Sequence, residues 1–170
     1  TEKPDSNSSV ATSDNEPTLD FDKDYFSSSL FIGDSISTGL SLYGFLDQQN
    51  VFAQQGLAPS TALDADIDGV TLSDKIASFK PKKIFVMLGT NSVGYADNET
   101  LAGNMKELVE KISALTKAKI YVVSIPPVTQ EAEKSDENAL TLKDITDYNT
   151  KLKSAISDTS ATFIDLNSIL

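Results

Sequence analysis

The stretch Ile84-Phe85-Val86-Met87-Leu88-Gly89-Thr90-Asn91 joins a continuous apolar run to a turn that carries polar side chains. An apolar run that does not alternate with polar residues is typical of a strand covered on both faces, as in a parallel sheet. Residues 120–125 form a second run of this kind, and shorter β-rich runs occupy residues 30–32, 51–53 and 162–166. These five runs predict the strands of one parallel sheet.

Helical periodicity separates the apolar runs. Apolar residues recur every three to four positions in three segments, 72–79, 101–115 and 142–156. We expect Asn98 to cap the second helix, and Thr141 with Asp144 to open the third as in a capping box. Strands that alternate with helices predict βαβ units, in which helices lie on both faces of a parallel sheet.

The acidic residues divide the chain into two parts. Residues 1–22 contain six acidic residues and one lysine among many serines, threonines and asparagines, so we predict a disordered acidic linker there. Residues 23–170 have the composition of a single domain. A polar stalk of this kind is typical of secreted or surface-tethered proteins, and we therefore expect an extracellular or cell-surface location.

Composition excludes several classes of function. The net charge of −11 argues against a nucleic-acid partner, because the chain lacks a basic field that would displace counterions from phosphates. The absence of cysteine and histidine removes thiolate nucleophiles, the usual metal ligands and the usual general base. No apolar run is long enough for a membrane span, and no cofactor or metal site is predicted.

Three strand-to-loop junctions carry residues that suit acyl transfer. Ser35 follows the first run, Gly56 the second and Asn91 the third. Taken singly, each has an ordinary interpretation: Asp34 or Ser35 as a helix N-cap, Gly56 as a turn glycine, and Asn91 in an Asx-turn. In the strand order 2-1-3-4-5 the three would converge at one sheet edge. A hydroxyl nucleophile would then face a backbone N–H and a side-chain N–H, which together form an oxyanion hole.

The chain resembles the SGNH or GDSL-type hydrolases, which are esterases, lipases and acylhydrolases. The resemblance rests on Phe-Ile-Gly-Asp-Ser at 31–35 and Leu-Gly-Thr-Asn at 88–91, with Gly56 between them, and covers residues 23–170. It implies a flavodoxin-like three-layer α/β/α sandwich with a five-stranded parallel sheet. It also implies Ser35 as nucleophile, and an oxyanion hole formed by the Ser35 and Gly56 N–H groups and the Asn91 side chain.

The sequence departs from the family pattern at two places. Ser92 stands where the family commonly has an aspartate, and the family's Asp-x-x-His, expected after the last strand, is absent. We therefore expect the family's Asp-x-x-His, and a helix that closes the sheet, to lie beyond residue 170. Loss of the base from such a site lowers turnover about a million-fold, so we expect these 170 residues alone to be nearly inactive.

Two other functions remain open at this point. A flavodoxin-like module could bind a flavin or phosphate at the hydroxyl-rich residues 35–39, and a non-catalytic domain could retain the pocket without the base. For the hydrolase, we expect a small ester or an acylated glycan as substrate, with O-acetyl removal from cell-envelope glycans as one possibility. The sequence leaves the oligomeric state open.

Overall fold

Seven strands appear in the computed structural model, which describes residues 22–129, 133–134 and 140–169. In chain order they are β1 (Ser29–Gly33), β2 (Val51–Ala53), β3 (Asp66–Ile67), β4 (Val70–Thr71), β5 (Lys83–Met87), β6 (Lys119–Val123) and β7 (Thr162–Ile164). Apart from Asp22, the predicted linker lies outside the described residues.

Five of these strands form one parallel sheet in the order β2-β1-β5-β6-β7. If only these five strands are numbered in chain order, their arrangement is 2-1-3-4-5, which is the predicted order. The other two, β3 and β4, form a short antiparallel hairpin that the sequence analysis did not predict. The flavodoxin-like α/β architecture is therefore confirmed, with this hairpin added between β2 and β5.

Within the described ranges, four bounded α-helices flank the sheet: α1 (Ser35–Leu42), α2 (Leu72–Phe79), α3 (Asn98–Leu115) and α4 (Leu142–Ala155). Thr141 caps α4 as predicted, because its hydroxyl accepts the Asp144 N–H at 3.1 Å. The predicted cap of α3 is wrong by one residue. Asp97 is the N-cap, since its carboxylate accepts the Thr100 N–H at 2.9 Å, whereas the Asn98 side chain donates to Asp147 at 2.8 Å.

The two faces of the sheet differ in burial. One face contributes side chains that are at most 3% exposed, namely Leu30, Ile32, Ile84, Val86, Ile120 and Val122. The opposite face carries an aromatic row of Phe31, Phe85 and Tyr121, which remain partly exposed. Neighbouring rings of this row are stacked, with centroids 4.7 Å and 4.9 Å apart. The core of the domain therefore lies on the first face.

Helix α1 contacts β1 and β2, while α3 and α4 pack against each other. No helix among the described residues has the length and apolar character that crossing a membrane requires. This arrangement leaves the carboxyl ends of β2, β1 and β5 side by side, where the ligand site of an open α/β sheet is expected.

Candidate functional site

Ser35, Gly56 and Asn91 follow the carboxyl ends of three neighbouring strands. Gly33, the last residue of β1, is paired with Ala53 of β2 and with Met87 of β5. Ser35 lies two residues after Gly33, Gly56 lies three residues after Ala53, and Asn91 lies four residues after Met87. All three residues are exposed to solvent. The structure therefore places the predicted residues at one edge of the sheet, on adjacent loops.

The turn that carries Ser35 is very short because β1 passes directly into α1. Gly33 permits this, since a Cβ atom there would lie 1.9 Å from the Ser37 Oγ atom. Asp34 is the N-cap of α1, and its Oδ1 atom accepts the Ile36 N–H at 3.1 Å. Ser35 is thus the first helical residue and is not needed as a cap. Its N–H is among the helix's unpaired donors, at the positive end of the helix dipole.

Three N–H donors at this edge are free within the described part of the chain. The Ser35 N–H, the Gly56 N–H and the Asn91 side-chain amide donate no hydrogen bond to any described residue. The Asx-turn interpretation of Asn91 is not supported. The turn is instead closed by the backbone, because the Ser92 and Val93 N–H groups donate to the Gly89 carbonyl at 2.9 Å and 3.0 Å.

Gly56 has the backbone conformation that its residue type favours. Its φ is +80°, and a Cβ atom there would meet nothing within 4 Å. The turn around it closes through a hydrogen bond of 3.1 Å from the Leu57 N–H to the Gln54 carbonyl. Gly56 is therefore a turn glycine, as its ordinary interpretation holds, and its N–H is also left unpaired at the site.

A buried contact joins the Ser35 turn to the Asn91 turn. Asp34 is 0% exposed, and Thr90 lies close enough for its N–H and hydroxyl to stabilise the Asp34 carboxylate. The geometry is loose, since neither Asp34 Oδ2 nor Thr90 Oγ1 has a hydrogen-bond partner at standard distance and angle among the described residues. Desolvation by burial outweighs these interactions and raises the pKa of Asp34 above 3.8.

This raised pKa has a testable consequence for stability. The folded chain keeps the Asp34 proton to higher pH than the unfolded chain, so this contribution to stability is present below pH 3.8 and is lost as pH rises through the folded pKa. Asp34→Asn removes the titration and retains a capping oxygen. We expect the free energy of unfolding of the variant, relative to the parent, to increase from about pH 4 to about pH 7. Urea unfolding across this range measures it, and a constant difference would contradict the prediction.

A cavity of about 460 Å³ lies between α1 and β2, close to the Ser35 turn, and others lie farther away. One of about 470 Å³ is lined by residues of α4 and of the loops after β6 and β7, including Pro127, Asn149 and Asp165. Another of about 460 Å³ lies at the opposite edge of the sheet, beside Lys82 and Lys119. Ser35 itself lies on the exposed surface. Among the described residues, no group of three or more acidic side chains is placed to hold a metal ion.

The sequence assigned no role to the side chains that support this site from below. Tyr148 of α4 is 0% exposed, and its hydroxyl donates to the Leu88 carbonyl at 2.9 Å, just before the Asn91 turn. Its neighbour Asn149 binds both the N–H and the carbonyl of Ile125, each at 3.0 Å. The signals were the position of both residues in a predicted helix and the loose resemblance of the Tyr-Asn pair to the same hydrolase family. Their contacts depend on how that helix crosses the sheet.

The model of the GDSL-like lipase/acylhydrolase family matches residues 31–170. The chain therefore belongs to the GDSL-like lipase/acylhydrolase family, a class of esterases and acylhydrolases. Sequence comparison with curated proteins gives no match.

Solved structures with the same fold are distant in sequence, and the chain covers only part of each of them. A Streptococcus pneumonia structure named for platelet activating factor is 20% identical, with a TM-score of 0.60 over 83% of this chain and 66% of its own. A GDSL-like lipase from Bacteroides thetaiotaomicron is 14% identical, with a TM-score of 0.58 over 86% of this chain and 72% of its own. A carbohydrate acetylesterase from Sinorhizobium meliloti is 13% identical, with a TM-score of 0.56 over 82% and 84%. The chain thus spans about two thirds of the first of these structures, and such identities show the fold alone.

Proposed function

We propose that this domain is a serine ester hydrolase in which Ser35 is the nucleophile. In this proposal the Ser35 N–H, the Gly56 N–H and the Asn91 side-chain amide form the oxyanion hole. One observation carries it: these three donors are unpaired within the described chain and lie at the ends of adjacent, in-register strands. The contact between Asp34 and Thr90, the residues just before Ser35 and Asn91, supports their proximity.

The proposed reaction proceeds through an acyl-enzyme. The Ser35 hydroxyl attacks the ester carbonyl carbon while its proton passes to a base, and the carbonyl oxygen becomes an oxyanion. Three N–H donors and the positive end of the α1 dipole stabilise that charge. The intermediate collapses, the alcohol leaves with a proton, and water then hydrolyses the acyl group from Ser35.

The base in this reaction is not a histidine of these 170 residues, because the sequence contains none. Imidazole in solution can take that role, since it titrates near neutral pH and is small enough to reach an exposed hydroxyl. Ser35 is exposed, so nothing in the described structure encloses its hydroxyl. An assay with added imidazole therefore tests the nucleophile and the oxyanion hole by themselves.

Small acyl esters are the proposed substrates, and O-acetyl groups on glycans are the proposed natural class. The exposed position of Ser35 suits an acetyl group carried by a larger molecule, because no deep pocket is needed for so small an acyl chain. The presence of a carbohydrate acetylesterase among the similar structures agrees with this choice. A polar, acidic N-terminal segment fits an extracellular or surface-tethered enzyme that acts on such glycans.

Hydrolysis of p-nitrophenyl acetate tests the proposal. We expect the chain with imidazole to release p-nitrophenol faster than imidazole alone, with saturation in substrate. A second arm measures acetate release from acetylated xylan under the same conditions. A rate equal to that of imidazole alone on both substrates would contradict the proposed function.

A further inference from the structure

A buried polar cluster lies directly beneath Ser35 and Asn91. Its members are Asp34 at the N-terminus of α1, Thr90 in the turn after β5, and Tyr148 in α4. Asp34 and Tyr148 are both 0% exposed. The proposed chemistry uses none of these three side chains, although each is next to a residue of the proposed site or touches its turn.

Tyr148 supports the Asn91 turn at close range. Its hydroxyl donates to the Leu88 carbonyl at 2.9 Å, and a Cβ atom at Gly89 would lie 2.6 Å from a carbon of its ring. Gly89 has φ +132°, a conformation that only glycine adopts readily. Gly89 therefore packs directly against the tyrosine ring, and one hydrogen bond holds the Leu88 end of the turn.

The hydroxyl of Tyr148 remains a donor at all ordinary pH values. Burial, with the nearby Asp34 carboxylate as a smaller cause, raises the pKa of Tyr148 well above its usual value of 10.0. The helix that carries it is itself fixed, because Asn149 binds the backbone of Ile125 through two hydrogen bonds of 3.0 Å. Tyr148 thus connects the Asn91 turn to a firmly held helix.

Thr90 makes the second connection, between the two proposed catalytic loops. Thr90 lies beside the Asp34 carboxylate, and its Oγ1 atom and the Asp34 Oδ2 atom are both buried without a hydrogen-bond partner at standard distance and angle among the described residues. Asp34 in turn fixes the first turn of α1 through the Ile36 N–H. The chain of contacts therefore runs from the Asn91 turn through Thr90 and Asp34 to the backbone that carries Ser35.

We propose that Thr90 and Tyr148 are positioning residues that hold the Asn91 amide beside the Ser35 hydroxyl, Thr90 through Asp34 and Tyr148 through the Leu88 carbonyl. This inference rests on the proposed function for its effect on catalysis. The turn is short and is closed by two hydrogen bonds to Gly89, so a shift at Leu88 or Thr90 moves Asn91 with it. Neither residue touches the reacting atoms.

The expected effect is on turnover rather than on substrate binding. A displaced oxyanion donor weakens the transition state more than the ground state, so kcat falls while KM changes little. For Tyr148→Phe and for Thr90→Val we expect kcat of imidazole-supported hydrolysis to fall on the order of 10-fold to 100-fold. Thr90→Ser retains the hydroxyl and is expected to restore most of the parent kcat.

Backbone hydrogen exchange provides a measurement that does not depend on catalysis. In Tyr148→Phe and Thr90→Val we expect the Ser92 and Val93 amides, which close the turn, to exchange about fivefold to tenfold faster. Amides in the middle of α3 should keep the parent rates. Tyr121→Phe is the matched control, because it removes a tyrosine hydroxyl from the aromatic row and leaves the cluster intact. All variants are compared at a temperature where circular dichroism shows them folded.

The outcomes separate this inference from the proposed function. Faster exchange at Ser92 and Val93 together with a fall in kcat at constant KM supports positioning. Parent-like exchange in both variants, or a Thr90→Ser variant as impaired as Thr90→Val, overturns it. If the chain shows no hydrolysis above imidazole alone, the proposed function fails and the exchange result still decides whether the cluster holds the turn.

Discussion

Ser35→Ala is expected to remove nearly all of the imidazole-supported ester hydrolysis. In complete triads the loss of the serine lowers kcat about a million-fold. Here the base comes from solution and contributes less, so we expect a loss on the order of 10²-fold to 10³-fold in the enzyme-dependent rate. The rate of p-nitrophenol release, after subtraction of the imidazole background, measures it.

Ser41→Ala is the matched control for this prediction. Ser41 lies in the same helix, and its hydroxyl donates to the Thr38 carbonyl at 3.3 Å, so the variant removes a serine hydroxyl from α1 at a distance from the proposed oxyanion hole. We expect it to retain the parent rate. A Ser35→Ala variant that is as active as Ser41→Ala would exclude Ser35 as the nucleophile.

Gly89→Ala is expected to cause a large loss of stability through a single added methyl group. The new Cβ atom would lie 2.6–2.8 Å from three atoms of the buried Tyr148 side chain. The φ of +132° adds backbone strain for any residue with a Cβ atom. Overpacking costs about 1–3 kcal/mol and strained backbone about 1–3 kcal/mol, so we expect the free energy of unfolding to fall by about 2–6 kcal/mol. Urea unfolding followed by circular dichroism measures it.

Gly103→Ala makes the same chemical change, but we expect it to raise the free energy of unfolding. Gly103 lies within α3, and a Cβ atom there would meet nothing within 4 Å. Alanine is favoured over glycine in a helix by about 0.5–1 kcal/mol, so this variant should be more stable than the parent. Equal effects of the two substitutions would show that the close approach of Gly89 to Tyr148 is not a constraint on the fold.

Periodicity alone predicted most of the regular structure. The segment 72–79 is helical over the same residues as α2, because its apolar spacing and the following Pro81 both mark its end. Strand ends were less predictable. Leu88 and Ile125 are fully buried, yet both lie beyond the last paired residues of β5 and β6, since burial continues past the hydrogen-bonded ladder.

The β3–β4 hairpin was missed although the sequence carries its signal. Asp68 and Gly69 have φ values of +54° and +81°, the two positive values that a type I′ turn requires. An Asp-Gly pair between apolar residues is the usual marker of such a turn. The strands have only two residues each, which is too short for an alternating pattern to be visible.

The residues of the candidate site could be predicted from the sequence, whereas the contacts between them could not. Ser35 and Asn91 could be identified because each follows an apolar run at the edge where ligands bind. The contact between Asp34 and Thr90 depends on the register in which β1 pairs with β5, and single-sequence patterns do not encode that register. The same limit applies to Tyr148, whose partner Leu88 is sixty residues away in the chain.

The direct passage from β1 into α1 gives the two sides of the site unequal tolerance to substitution and insertion. An added residue between Gly33 and Ser37 would rotate the first helical turn and carry the serine away from its neighbours, because Gly33 already touches that turn. Gln54 and Gln55, just before Gly56, are exposed, so their side chains can be changed while the Gly56 N–H keeps its place. Redesign of the acyl or alcohol preference should therefore begin in the loop after β2.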